Sequence, residues 1–203
     1  MKSREWINRQ NKDIYVKKAS KLNFVSRSAF KLLEIEKRFS VIKESKNILE
    51  LGSSPGGWVQ SILNIKSDKK FNLICVDIKD LKIKNDSKFN FIKIDFLNPN
   101  FENIIKKENQ EKFDIILSDM APNTIGHANT DHLRIIELSK NVIDFSIKFL
   151  NKKGFLIFKI WQGTEDKNLV KYLKKYFEKI NYFKPKSSRK DSSEIYIICL
   201  FFK

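Results

Sequence analysis

Phe155-Leu156-Ile157-Phe158-Lys159-Ile160-Trp161 is apolar on both faces of any extended chain. It is far shorter than the roughly 18 residues a spanning helix needs. A strand apolar on both faces belongs inside a parallel sheet with helices above and below it. This one run therefore commits the chain to an α/β architecture. Lys159 is its only charge. An isolated ammonium there costs on the order of several kcal/mol unless it is paired, neutralised or at the strand's mouth. A buried lysine is a candidate for chemistry because its pKa can be moved. A lysine at a strand end that snorkels to water is the alternative.

The rest of the chain alternates in the same sense. Strand-like runs at Ile48–Leu51, Phe71–Asp77, Phe89–Ile94, Phe113–Ser118, Gly154–Trp161, Asn181–Lys184 and Glu194–Phe202 are separated by helical patterns. The spacing predicts helices at Arg27–Phe39, opened by Ser26 or Ser28, at Trp58–Ile65, and at Phe101–Asn109. It also predicts a long helix from Asp131 to Leu150 capped by Thr130. Thr164 is expected to cap a further helix, with Glu165 and Asp166 in its first turn and Leu169, Leu173, Tyr176 and Phe177 as its buried face. Strands alternating with helices give a mostly parallel sheet covered on both sides. The length of 203 residues suits one domain, residues 1–203, whose first 40 residues form a basic helical segment.

Lys and Arg number 40 against 24 Asp and Glu, a net charge of +16, which favours a polyanionic partner, nucleic acid first. A Lys-rich composition accounts for part of this excess. Arg4, Arg9, Lys17, Lys18, Arg27, Ser188, Arg189 and Lys190 are the candidate RNA contacts. Cys75 and Cys199 sit in apolar runs and are expected to be buried free thiols in a reducing compartment. No spacing of Cys or His suggests a metal site, and His127 and His132 have no such partners nearby. The N-terminus, with Glu5 and Asp13, resembles neither a secretory signal nor a transit peptide.

Ile48-Leu49-Glu50-Leu51-Gly52-Ser53-Ser54-Pro55-Gly56-Gly57-Trp58 is a strand, a glycine loop and a helix start. Open α/β sheets bind ligands at such strand ends. The loop lacks the dinucleotide pattern G-x-G-x-x-G, and it lacks the Gly-Lys-Ser/Thr ending of a phosphate loop. Asp77 ends the second strand, where it can accept hydrogen bonds from ribose hydroxyls. Asp95 and Phe96 follow the third, offering a carboxylate and an aromatic wall to an adenine. The set suits a nucleoside without a pyrophosphate, and S-adenosylmethionine fits best.

At this point the sequence resembles the FtsJ-like (heat-shock ribosomal RNA) 2′-O-ribose methyltransferases. Ser26-Arg27-Ser28-Ala29-Phe30-Lys31-Leu32 resembles that family's S-R-[SA]-x-[FY]-K-L segment. Leu51–Trp58 resembles its glycine loop, with Glu50 replacing the usual Asp. Leu117-Ser118-Asp119-Met120-Ala121-Pro122-Asn123 resembles S-D-M-A-P-N. Phe158-Lys159-Ile160-Trp161-Gln162-Gly163 resembles K-x-F-Q-G, with Trp161 for Phe. Lys184-Pro185, Ser187-Ser188-Arg189 and Ser193-Glu194-Ile195-Tyr196 resemble its ending.

The resemblance implies a Rossmann-like methyltransferase fold with a seven-stranded sheet and an antiparallel last strand. It implies a catalytic quartet of Lys31, Asp119, Lys159 and Glu194, with cofactor contacts at Gly56, Trp58, Asp77, Asp95 and Asp119. Gly52, Pro55 and Gly57 complete the expected cofactor loop. Lys159 is expected to take or steer the ribose proton, and Glu194 to orient Lys159; the competing reading keeps Lys159 protonated as an electrostatic clamp, with Asp119 or water taking the proton. The implied reaction is S-adenosylmethionine-dependent 2′-O-methylation of a nucleotide, taken as uridine, in large-subunit ribosomal RNA. The enzyme would be a monomer without membrane contact, inside the cell, in a bacterial cytoplasm or a mitochondrion or plastid. A tRNA 2′-O-methyltransferase is the alternative within this chemistry. A non-catalytic RNA-binding protein is a second, against which the intact quartet counts. A methyltransferase of small molecules or proteins is a third.

Overall fold

A computed structural model describes residues 12–67, 69–84, 86–122, 126–163 and 166–203. Its helices are α1 (Ile14–Lys21), α2 (Ala29–Phe39), α3 (Val41–Glu44), α4 (Gly57–Ile65), α5 (Phe101–Glu108), α6 (Ala128–Phe149) and α7 (Asp166–Leu173). Its strands are β1 (Asn47–Leu51), β2 (Asn72–Asp77), β3 (Asn90–Lys93), β4 (Phe113–Ser118), β5 (Leu150–Trp161), β6 (Phe177–Phe183) and β7 (Glu194–Phe202).

The strands form one sheet in the order β3-β2-β1-β4-β5-β7-β6. β1 to β5 pair in parallel. β7 runs antiparallel to both β5 and β6. The order reverses between β1 and β4, so a crevice opens at their carboxyl ends, where such sheets bind ligands.

Alternate residues of each strand feed two cores, as the pleat requires. Leu49, Ile74, Ile116, Leu156 and Phe158 face α5, α6 and α7 through Phe101, Ile105, Phe145 and Leu169. Ile48, Leu73, Ile115, Ile157 and Ile198 face α2, α3 and α4 through Leu32, Ile35, Ile42, Trp58 and Ile62. Burial on both faces is what the apolar run at 155–161 requires. A third, smaller cluster of Ala19, Phe24, Ala29 and Phe30 seats α1 against α2.

Four regions depart by more than one residue from the sequence expectation. β5 starts at Leu150, not Gly154. The turn-like Asn151-Lys152-Lys153 is absorbed by a register shift between Phe113 and Ile115 and by Lys153 at φ 66°. α6 starts at Ala128, so Thr130 lies inside its first turn and does not cap it. The Asp131 carboxylate instead accepts the Gly126 N–H at 3.1 Å. α2 starts at Ala29, after a turn in which Ser26 Oγ accepts the Ser28 N–H at 2.9 Å.

The fourth concerns Tyr176 and Phe177. α7 ends at Leu173, and Phe177 opens β6, which replaces the short strand expected at Asn181–Lys184. Phe177 is buried in the same core as Leu169 and Leu173, so burial continues although the helix has ended. The expected cap Thr164 and its neighbour Glu165 lie outside the described residues.

Candidate active site

The glycine loop is stitched to its neighbours by backbone hydrogen bonds. The Gly52 and Ser53 N–H groups donate to Val76 O at 2.8 and 3.1 Å, and the Asp119 N–H donates to Leu51 O at 3.1 Å. The ends of β1, β2 and β4 are thereby fixed around one cavity of about 540 Å³. Gly52, Asp77, Asp95, Phe96 and Asp119 line it, with Met120 beside them.

Within the loop, close approach bears on Gly52 and Gly57. Gly52 has φ +83°, and a Cβ on it would lie 2.9 Å from the backbone nitrogen of Met120. A Cβ on Gly57 would lie 2.7 Å from Ser28 Oγ, because the Ser26–Ser28 turn packs directly on the start of α4.

The lining fits S-adenosylmethionine. Its volume is that of a small-molecule site. Carboxylates from Asp77, Asp95 and Asp119 converge on it, with Glu137 also in the lining, as suits a cationic nucleoside. Asp77 Oδ2 accepts the Ser54 N–H and Oδ1 the Lys79 N–H, both at 2.8 Å, so its position is fixed. Phe96 is anchored edge-on against Phe101 and Phe145.

Pro55, Gly56, Gly57 and Trp58, expected as cofactor contacts, do not line the cavity. Trp58 is 2% exposed. Its indole donates to Ser28 O at 2.9 Å and packs against Tyr196. It joins the loop to the N-terminal segment.

Lys31, Asp119, Lys159 and Glu194 come together as two ion pairs. Lys159 Nζ lies 2.8 Å from Asp119 Oδ1, and it also donates to the Asp119 carbonyl. The Lys159 side chain is only 9% exposed, so it does not snorkel to water. Lys31 Nζ lies 2.7 Å from Glu194 Oε1 and 2.8 Å from Oε2.

Tyr196 connects the pairs. Its hydroxyl donates to Asp119 Oδ1 at 2.7 Å, and Lys31 Nζ stands 5.9 Å from its ring centre. Glu194 holds Lys31 and not Lys159, against expectation. The antiparallel register places Tyr196 opposite Lys159 and Glu194 opposite Trp161. Residues 194 and 196 share a face, so the tyrosine intervenes.

Burial works to raise the Asp119 pKa, but Lys159 and Lys31, with the hydrogen bonds from Lys159 and Tyr196, bring it below the usual carboxylate range. Burial, Asp119 and Glu194 push the Tyr196 hydroxyl well above the ordinary tyrosine value. Tyr196 therefore stays a donor and Asp119 an anion.

Glu50 lies just behind this site, 1% exposed. Burial first, then Asp119, push its carboxyl well above the ordinary value. Its Oε1 has no hydrogen-bond partner among the described residues. A raised folded pKa leaves stability intact below the unfolded value and removes it as pH climbs toward the folded value. Wild-type unfolding free energy should therefore fall relative to Glu50→Gln as pH rises above the ordinary glutamate range. Urea melts of both proteins across that window would measure it; parallel profiles would show that Glu50 ionises freely in the fold.

The proposed RNA contacts are divided. Arg4 and Arg9 lie outside the described residues. Arg27 is not free for phosphate: it pairs with Asp13 and donates to Ser187 O. Arg189 Nε lies 3.5 Å from the same Asp13. Asp13 also caps α1, accepting the Tyr15 N–H at 2.9 Å. Lys190 is exposed.

Sequence reasoning assigned no role to Asp13, Glu34 or Tyr196. Tyr196 carried a signal, since it falls two residues after Glu194 on an expected strand. Asp13 and Glu34 carried none, because both resemble ordinary helix-surface acids.

The sequence pattern of the FtsJ-like methyltransferase family matches residues 24–202. A protein of Ehrlichia chaffeensis named ribosomal RNA large subunit methyltransferase E is 42% identical, over all of this chain and 95% of that protein. One of the same name from Wolbachia pipientis is 43% identical over 94% of this chain and 95% of that protein. The crystal structure of a Plasmodium falciparum protein described as a ribosomal RNA methyltransferase superposes with a TM-score of 0.79. It is 33% identical and covers 88% of this chain and 98% of its own.

Proposed function

The chain belongs to the FtsJ-like methyltransferase family, and from that premise we propose that it methylates a ribose 2′-oxygen, in a uridine of large-subunit ribosomal RNA. The observation that carries this reading is the buried Lys159–Asp119 pair, whose carboxylate lines the cavity, together with the Lys31–Glu194 pair. Full-length relatives named for large-subunit ribosomal RNA support the substrate over tRNA.

S-adenosylmethionine, when bound, supplies an electrophilic methyl group on a positively charged sulfur. Asp77, Asp95 and Asp119 would hold it, and Phe96 would wall its base. The chain must align the acceptor oxygen with that methyl and relieve it of a proton. Lys159 directs two of its hydrogens to Asp119, one to the carboxylate and one to the carbonyl. The third position, a lone pair once the amine is neutral, is left for the ribose hydroxyl. As Lys159 takes that proton, the ionised Asp119 stabilises the new ammonium. Tyr196 keeps Asp119 oriented throughout. Lys31, fixed by Glu194, places a second positive charge near the developing oxyanion.

The phosphate-binding surface is reassigned from Arg27 to the exposed basic residues Lys17, Lys18 and Lys190. The protein is proposed to act as a monomer. Action on ribosomal RNA supports an intracellular protein, and we propose a bacterial cytoplasm or an organelle as its compartment.

Labelled-methyl transfer to large ribosomal subunits, free ribosomal RNA and tRNA tests the substrate assignment. Label is expected in the first or second and not in tRNA. Preferential labelling of tRNA would reverse the assignment.

A further inference from the structure

We propose that Ser188 is a positioning residue that fixes Lys31 by way of Glu194; this rests on the methyltransferase reading above. Glu194 is the first residue of β7, opposite Trp161, and its long side chain sits at a strand end. Its Oε1 accepts from Lys31 at 2.7 Å and from Ser188 Oγ at 2.8 Å. Ser188 is 7% exposed, so its hydroxyl does not face bulk water.

The segment carrying Ser188 is itself anchored to the helix that carries Lys31. Glu34 lies three residues after Lys31 on α2, hence on the same side of the helix. Its carboxylate accepts the Lys186 N–H at 2.6 Å and the Ser187 N–H at 2.9 Å. Arg27, just before α2, donates to the Ser187 carbonyl. A closed ring results: α2 grips residues 186–187, Ser188 orients Glu194, and Glu194 returns to Lys31 on α2. The ring sets where the Lys31 ammonium stands relative to Tyr196 and Asp119.

A role for Ser188 as a phosphate contact makes a different demand. It requires an accessible hydroxyl and affects RNA affinity. A positioning role affects the chemical step at saturating RNA and disappears once Glu194 can no longer hold Lys31.

The test compares wild type, Ser188→Ala, Ser188→Thr, Glu194→Gln and the Ser188→Ala/Glu194→Gln double variant. Single-turnover methyl transfer to ribosomal RNA is measured with RNA and cofactor dissociation constants. Ser188→Ala is expected to lower the saturated rate about tenfold, the scale of one hydrogen bond to a charged group. Both dissociation constants should stay within about twofold, since neither ligand is touched. Threonine should restore most of the rate, and the double variant should be no slower than Glu194→Gln alone. Weakened RNA binding with an unchanged saturated rate would overturn the proposal in favour of a phosphate contact. Multiplied losses in the double variant would overturn it too. Wild type that methylates no RNA would overturn the functional reading and this proposal together, whereas active wild type with an equally active Ser188→Ala would overturn this proposal alone.

Discussion

Replacing Lys159 with alanine is expected to lower the single-turnover rate by about 10³-fold, within the span for loss of a general base. The variant removes the cation that pairs with Asp119 and the group proposed to face the acceptor hydroxyl. Cofactor affinity should change much less, because Asp77, Asp95 and Phe96 are untouched. Asp119 also loses stability in the variant. Its depressed pKa contributes stability that is present above the unfolded value and lost as pH falls through the folded value. The variant should lose less of its stability than wild type as pH is lowered through that window. Single-turnover rates, calorimetric cofactor titration and acid melts measure the three effects. Near wild-type rates for Lys159→Ala would remove it from the mechanism.

Gly52→Ala is expected to cost about 3 kcal/mol of stability and to weaken cofactor binding by more than tenfold. A left-handed φ costs an alanine about 1–2 kcal/mol. The new Cβ would also stand 2.8 Å from Met120 Cγ and 2.9 Å from the Met120 backbone nitrogen. A side chain can rotate away, but the backbone nitrogen next to Asp119 cannot move without disturbing β4 and the site. Gly126 provides the control, since it has φ +90° but nothing within 4 Å of a built Cβ. Gly126→Ala should therefore show only the conformational cost. Denaturant melts of both variants measure the difference, and equal losses would mean that the contact with Met120 relaxes freely.

The two readings that came through best from sequence were those tied to periodicity and to strand ends. β4 and β7 occupy the expected Phe113–Ser118 and Glu194–Phe202. Both strands are apolar enough that packing and pattern agree. The glycine loop and Asp77, Asp95 and Asp119 fall at strand ends because a doubly wound sheet places all such ends on one side.

Strand pairing was not legible. Only the β5–β7 register shows that Tyr196, not Glu194, is the neighbour of Lys159. The partners of Arg27 were hidden for a related reason. A sequence displays its charge but not Asp13, which approaches it from α1 across a packed Tyr15–Phe30 contact. The start of β5 was misplaced because Asn151-Lys152-Lys153-Gly154 has turn composition, while tertiary pairing with β4 extends the strand through it. The end of α7 was misplaced because Phe177 continues the apolar spacing into a different element buried in the same core.

The central claim is that this site methylates a ribose oxygen of large-subunit ribosomal RNA. Its most direct test is incubation of the protein with S-adenosylmethionine carrying a labelled methyl group and large ribosomal subunits, followed by digestion of the RNA to nucleosides. Label in a 2′-O-methylated nucleoside, present with wild type and lost with Lys159→Ala, is the expected result. Label in a base-methylated nucleoside, or equal labelling by the variant, would contradict it.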